Sequence, residues 1–114
     1  MVNNVVVIGR ITREVNVVTL DSGKKVSEVC IAVQRNFKNF EGSYDVDFIH
    51  ATLWEGLASI VSSYCTKGSM VSIVGRLQVK NVHVDDKKFN VLELIAESIG
   101  LIDSKPKSTS QEQG

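Results

Sequence analysis

The amino-acid sequence predicts a small all-β protein, a five-stranded barrel with one short helix between the third and fourth strands. Runs rich in β-branched residues recur along the chain and are separated by turn-forming residues. One stretch alone, residues 57–64, changes to helical spacing. A chain of 114 residues is long enough to bury one core.

The first two strands lie in the N-terminal third of the chain. Residues 5–12 open with four consecutive β-branched residues and form the first predicted strand. Residues 15–20 also read as extended. The Asp-Ser-Gly sequence at residues 21–23 predicts a turn, and the second strand follows over residues 26–35.

The middle of the chain combines a loop, a strand and the helix. Residues 36–45 are a polar loop that carries three aromatic side chains, and residues 46–54 form the third strand. In the helix, apolar residues fall at i, i+3, i+4 and i+7, which gives one apolar stripe. Gly56 precedes this stretch and Gly68 follows it, as expected for the ends of a helix.

The last two strands form a long hairpin. Residues 71–80 alternate between apolar and polar side chains and form the fourth strand, and residues 85–88 form the tip. Residues 89–102 form the fifth strand, with a bulge predicted near residues 97–98. Five strands with a helix between the third and fourth is the order of an OB-fold, although periodicity alone also fits a generic five-stranded barrel.

The composition excludes several classes of protein. Thirteen basic and thirteen acidic residues give zero formal charge, so binding to phosphates must depend on the placement of charge. The two cysteines, Cys30 and Cys65, are too few for a cysteine-based zinc site or a disulfide scaffold. No apolar run approaches 18 residues and no leader opens the chain, so no membrane association and a cytoplasmic, nucleoid-associated location are expected.

The chain divides into a body, residues 1–103, and a short tail, residues 104–114. The tail has no aliphatic or aromatic residue and contains the only proline. Such a segment buries too little apolar surface to offset its ordering entropy, so we expect it to be disordered.

An enzyme is not predicted, because the residues that catalysis needs are not arranged for it. His50 and His83 have no metal-ligand spacing, and neither a serine-nucleophile elbow nor a phosphate-binding glycine loop is present. Asp45 and Asp47 could share a strand face and hold magnesium, but carboxylates at a loop edge are the favoured interpretation. We therefore predict no catalytic residue, metal or cofactor.

The third predicted strand carries apolar side chains on both faces. Ile49, Ala51 and Leu53 share one face, and the other face presents Phe48 and Trp54. The exposed aromatics could pack under a loop or in a subunit interface. They could equally stack against nucleobases, since every base has a π-face. This pattern alone leaves both interpretations open.

Basic side chains on the neighbouring strands favour nucleic acid. Arg10 in the first strand and Arg76 in the fourth strand each come directly after a glycine, in similar apolar surroundings. Cations beside aromatic rings on one sheet face are typical of a groove for single-stranded nucleic acid. On the fourth strand, alternation predicts two sets, an inward one of Val71, Ile73, Leu77 and Val79 and an outward one of Arg76, Gln78 and Lys80.

Taken together, these residues resemble the bacterial and phage single-stranded DNA-binding protein (SSB) family. The resemblance rests on segments that occur in family order. They are MVNNVVVIGRIT (residues 1–12), AVQRNF (32–37), DFI (47–49), Trp54, YCTKGS (64–69), VGRLQ (74–78) and AE (96–97). The resemblance implies an OB-fold, a homotetramer, and binding of single-stranded DNA without strong sequence preference.

The resemblance also implies which side chains contact DNA. The fourth-strand aromatic of the family falls at Val82 here, so that stacking residue is missing, and Phe40 or Tyr44 in the predicted loop are candidate substitutes. The implied DNA-binding residues are three aromatics, Phe37, Phe48 and Trp54, and five cations, Arg10, Arg35, Lys38, Arg76 and Lys80.

The C-terminus departs from the replication-type members, which end in an acidic tip. This chain ends Gln-Glu-Gln-Gly, so docking of replication partners through such a tip is not expected, and a native end and a truncated end both fit. A short accessory member is the implied type, with its pathway and its preference between DNA and RNA left open. Two alternatives remain: a primosomal-type OB-fold dimer, and an OB-fold module that binds protein.

Overall fold

The structure, a computed structural model, describes residues 1–103, so the predicted tail lies outside the described residues. It contains six strands and one helix. In chain order these are β1 (Val5–Ile11), β2 (Val18–Thr19), β3 (Lys25–Lys38), β4 (Tyr44–Trp54), α1 (Gly56–Tyr64), β5 (Met70–Val84) and β6 (Lys87–Leu101).

Five of these strands close into a barrel in the order β1-β5-β6-β4-β3, with β3 pairing back to β1. The two-residue β2 lies outside this ring, at the edge of β3. All pairings are antiparallel except that of β4 with β6, which joins Ala51 to Leu94 and Thr52 to Ile95. The helix follows the third barrel strand and precedes the fourth. This confirms the predicted OB-fold.

The barrel interior is filled by alternate side chains of the five strands. Ile31, Leu53 and Ile73 are fully buried, and α1 contributes Ala58 and Val61. Burying each large aliphatic side chain contributes roughly 1.5–3 kcal/mol before entropy costs are counted. The predicted division of the third barrel strand is confirmed, because Ala51 and Leu53 lie in the core while Phe48 and Trp54 are exposed.

Two buried glycines lie where the backbone of the neighbouring strand leaves no room for a side chain. A Cβ atom on Gly9 would collide with the carbonyl oxygen of Ala32, and one on Gly75 would collide with that of Ile95. Gly75 lies at a register shift between β5 and β6, where Glu97 is the extra residue of β6. The bulge predicted near residues 97–98 is therefore confirmed, and glycine is required there for space.

The predicted strands were too short around the β3–β4 hairpin. The polar loop predicted over residues 36–45 shrinks to residues 39–43, because a bulge between Gln34 and Lys38 lets the strands continue to the Lys38–Tyr44 pair. The Asn39 side chain accepts hydrogen bonds from the N–H groups of Glu41 and Ser43 and so closes the turn. In contrast, only β2 remains of the extended segment predicted at residues 15–20.

The β5–β6 hairpin extends beyond the barrel as an arm, residues 76–92. Its two-residue turn is formed by Asp85 and Asp86, both with positive φ, as such a turn requires. The expectation that Leu77 and Val79 face the core is wrong: they are 38% and 60% exposed. Alternation assigned their face correctly, but in the arm no other strand of the barrel covers that face.

Candidate nucleic-acid interface

The outer face of β4 presents a row of aromatic side chains. Tyr44, Phe48 and Trp54 point outward at even positions, and Phe48 and Trp54 are 65% and 37% exposed. Phe48 and Trp54 are six residues apart, which is roughly 20 Å along a strand. Exposed rings at this spacing offer separate stacking surfaces for a bound chain.

Phe48 belongs to a row that crosses three strands. It is paired with Ala32 on β3, and Ala32 is paired with Arg10 on β1. Directly paired residues project from the same face, so the small Ala32 side chain separates a ring from a guanidinium. Two strand spacings correspond to about 10 Å. The predicted Arg10 and Phe48 are therefore brought together on one surface.

The position of Trp54 is fixed by the residue that follows it. Glu55 adopts a positive φ of 54° and ends β4. Its backbone N–H donates to the carbonyl oxygen of Lys25 at 2.8 Å, and its carboxylate accepts from the N–H of Lys25 at 2.8 Å. These two bonds hold the end of β4 against β3, where Trp54 is paired with Val26.

The other predicted aromatics lie around the β3–β4 hairpin. Phe37 is exposed within the β3 bulge, and Phe40 is fully exposed in the turn. Tyr44 lies on β4, opposite Lys38, whose Nζ atom is 5.9 Å from the centre of the tyrosine ring. The predicted Lys38 therefore makes a cation–π contact with an aromatic ring at this end of the surface.

All three predicted arginines are already paired with carboxylates. Arg10 donates to the Asp103 carboxylate at 3.1 Å and to the carbonyl oxygen of Gly68 at 2.9 Å. Arg76 lies 3.8 Å from a carboxylate oxygen of Glu97 and donates to the Gln78 side chain at 2.7 Å. Because these groups are exposed, solvent screens the pairs and leaves them exchangeable.

Arg35 is the most firmly held of the three. Its guanidinium donates to both carboxylate oxygens of Asp47 at 3.0 Å and lies 3.8 Å from Asp45. The hydrogen bond with Asp47 raises the pKa of Arg35, and the same bond lowers the pKa of Asp47. Asp45 and Asp47 alternate with Phe48 along β4, so Arg35 is held on the face opposite this ring.

Lys80 differs from the arginines. Within residues 1–103 it has no carboxylate within 4.0 Å. It borders a groove of about 350 Å³ between β4 and the arm. Besides Lys80, the groove is lined by His50 and Thr52 of β4, by four residues of the β5–β6 hairpin and by one residue of β3. These five are Val82, Val91, Leu92, Glu93 and Glu28, so two carboxylates also border the groove.

The surface of β4 continues onto the arm without changing face. Thr52 is paired with Ile95 across the β4–β6 contact, and Ile95 is paired with Arg76. From Arg76 onward the β5–β6 register is regular. The outward positions of β4 therefore share one surface with the even positions of β5 in the arm, including Lys80, and with their paired odd positions on β6.

Phe89, an exposed aromatic on the arm, is not among the site residues predicted from the sequence. Phe89 is paired with Val82, so its ring lies on the same face as Lys80. The information was present in the sequence: a two-residue turn at Asp85 and Asp86 places positions 82 and 89 opposite each other.

Residues 1–103 contain no cluster of three or more His, Cys, Asp or Glu side chains arranged to hold a metal ion. Asp45 and Asp47, considered as a magnesium pair, both lie within 4.0 Å of Arg35. In the same part of the chain, no helix combines the length and apolar character needed to cross a membrane.

Comparison with known proteins identifies the family. The model of the "Single-strand binding protein family" matches residues 2–102. The chain is 37% identical over 106 residues to "Single-stranded DNA-binding protein 1" of Streptococcus agalactiae serotype III (strain NEM316), covering 92% of this chain and 65% of that protein. It is 33% identical over 108 residues to "Single-stranded DNA-binding protein B" of Bacillus subtilis (strain 168), covering 94% and 96%. It thus spans about two thirds of one relative and nearly all of the other. The chain belongs to the single-strand binding protein family.

Proposed function

We propose that this protein binds and protects single-stranded DNA without strong sequence preference. The observation that carries the proposal is the continuous outer surface of β4 and the arm, which presents exposed aromatic rings beside cations. Family membership and the names of the relatives support the choice of ligand. In this function the protein covers the strand, and no bond is made or broken.

Base stacking supplies most of the binding free energy in this proposal. Phe48, Trp54 and Phe37 are exposed and require no rearrangement of the barrel to contact a base. Each stacked base contributes about 1–3 kcal/mol, and stacking tolerates any base. This accounts for binding that does not depend strongly on sequence.

Phosphate contacts play a smaller part. A phosphate that reaches Arg10, Arg35 or Arg76 must displace a carboxylate, whereas Lys38 and Lys80 have no such competitor within 4.0 Å in residues 1–103. Few counterions are then released on binding. For single strands the log–log salt slope is about −0.7 per neutralised phosphate, so we expect a shallow slope.

The direct test uses Trp54, the only tryptophan. Its fluorescence is recorded during titration with oligo-dT at two salt concentrations. Strong, saturable quenching that persists at high salt is expected, because stacking places a base on the indole. If Trp54 is not quenched and no mobility shift occurs, the single-strand function is wrong and a protein-binding module becomes the better description.

A homotetramer is the proposed assembly. Val6 and Ile8 on β1 are each more than half exposed, and residues 5–9 of β1 have no partner on β3 in the described chain. An apolar strand with a free edge is a hazard unless another subunit covers it. Light scattering at micromolar concentration should give four subunits, whereas two would indicate the primosomal type and one would exclude assembly through β1.

The proposed setting is the nucleoid, wherever single strands are exposed during replication, recombination, repair or DNA uptake. Each OB-fold covers roughly 4–16 nucleotides in proteins of this kind. Binding of this type prevents the strand from pairing with itself and blocks nucleases.

A further inference from the structure

We propose that Phe89 is a base-stacking residue on the arm, and that it supplies the aromatic ring missing at Val82. This inference rests on the proposed single-strand function and extends its binding site to the second strand of the arm. Val82 and Phe89 are directly paired in the β5–β6 ladder. A ring on either residue therefore covers the same part of the surface.

The surroundings of Phe89 match those of a nucleic-acid contact. On its face of the arm, the neighbouring pairs are Lys80 with Val91 on one side and Val84 with Lys87 on the other. An exposed aromatic ring thus lies between two lysines, with valines beside it. Phosphates can be held by the cations while a base stacks on the ring.

Within residues 1–103, core packing does not account for the ring of Phe89. Phe89 is 48% exposed, and in the described chain the arm is a two-stranded ribbon at this point. The opposite face of the arm carries Val79, which is 60% exposed, is paired with Leu92 and does not line the groove. Val79 is thus an exposed apolar side chain that lacks the flanking lysines, and it provides a matched control.

A path leads from the aromatic row of β4 to Phe89. The groove beside His50 and Thr52 is bordered on the arm by Lys80 and Val82. Phe89 lies six residues along β6 from Ile95, the partner of Thr52, which corresponds to roughly 20 Å. A strand that follows this groove outward from β4 reaches Phe89 at its end.

The test measures oligo-dT affinity for the natural chain, Phe89→Leu and Val79→Ala. Phe89→Leu is expected to weaken binding of an oligonucleotide of about 16 bases by at least about five-fold. An oligonucleotide of about four bases should show a smaller loss, because it does not extend from β4 to the arm. Val79→Ala should bind as the natural chain does.

A second variant, Trp54→Phe combined with Phe89→Trp, moves the only indole to position 89. Quenching of this indole by oligo-dT is expected. If Trp54 of the natural chain is quenched while the indole at position 89 is not, and Phe89→Leu binds normally, the inference is overturned and the proposed function stands. If neither the natural chain nor any variant binds oligo-dT, the inference about Phe89 and the proposed function are both overturned. A change of oligomeric state in Phe89→Leu with unchanged affinity would assign Phe89 to a subunit interface and also overturn the inference.

Discussion

Arg35 on β3 holds Asp47 on β4 through two parallel hydrogen bonds of 3.0 Å, on the face of the strand opposite Phe48. Planar, two-point pairing of this kind is the geometry in which arginine also binds phosphate. Asp47 thus occupies the guanidinium with the geometry in which a phosphate would be bound. In the proposed function, this carboxylate and a DNA phosphate would compete for one cation.

Removing this competitor should strengthen binding. We expect Asp47→Asn to raise the affinity for oligo-dT at low salt and to steepen the log–log salt slope by about 0.7, the value for one more neutralised phosphate. The measurement is a titration series over several salt concentrations. The double variant Arg35→Gln/Asp47→Asn should lose the gain, and an unchanged slope in Asp47→Asn would show that Arg35 does not contact DNA.

Stacking on β4 is tested by comparing two exposed phenylalanines. Phe48→Leu removes a ring from the outer face of β4 and should weaken oligo-dT binding by about 1–3 kcal/mol. Phe40→Leu removes a ring from the turn at residues 39–43 and should have little effect. An equal loss in both variants would mean that the turn also holds bases, and that Phe40 substitutes for the aromatic missing at Val82.

The pH dependence of stability should reveal the role of Asp103. Its carboxylate accepts from the Met70 N–H at 2.7 Å and from Arg10 at 3.1 Å, and these bonds lower its pKa below the ordinary 3.8. A lowered pKa in the folded state means that the ionised form stabilises the fold above pH 3.8. This contribution disappears as the pH falls through the lowered value.

We therefore expect Asp103→Asn to lower the Tm at neutral pH, and its difference from the natural chain to vanish in strong acid. Thermal unfolding followed by circular dichroism at both pH values measures this. A difference that stays constant across the pH range would assign the effect to hydrogen-bond geometry alone.

The β6 backbone comes so close to Gly75 that adding even a small side chain there should lower the stability of the fold considerably. Gly75→Ala should destabilise the fold by about 1–3 kcal/mol or more, because its methyl group meets the backbone of Ile95. Gly56→Ala is the control: its site at the start of α1 has open space, so stability should be unchanged or slightly higher. Denaturant unfolding compares the two. Equal stabilities would contradict the steric argument.

The fold and the aromatic row of β4 could be predicted because both follow from strand alternation. Leu53 and Phe48 differ by an odd number of positions, and that alone separates core from surface. The exposure of Val79 could not be predicted in this way, since periodicity does not tell where the ring of strands ends and the arm begins.

The pairing of the arginines with carboxylates also could not be predicted from the sequence. Arg10 and Asp103 are 93 positions apart in the sequence. Arg35 lies in a β-bulge next to Asp47, and no local sequence pattern predicts this bulge. Such contacts depend on tertiary register and on side-chain rotamers. For this reason the cations were identified by position, while their carboxylate partners were not.

One of the two shortest strand pairings of the barrel, that between β4 and β6, lies beside the strand that presents Phe48 and Trp54. On one side β4 has a long ladder with β3, but on the other it meets β6 at only two paired positions in the described chain, supported by a hydrogen bond from Thr52 to Glu93. Of the two strand pairings in the barrel with only two paired positions, this one joins residues farther apart in sequence and so has the larger loop-closure cost. We therefore expect the β4–β6 contact to form last in folding and to open first. DNA bound from Phe48 to the arm would contact both sides of the β4–β6 pairing and hold them together. Its binding should therefore slow the unfolding of the barrel as well as raise its equilibrium stability.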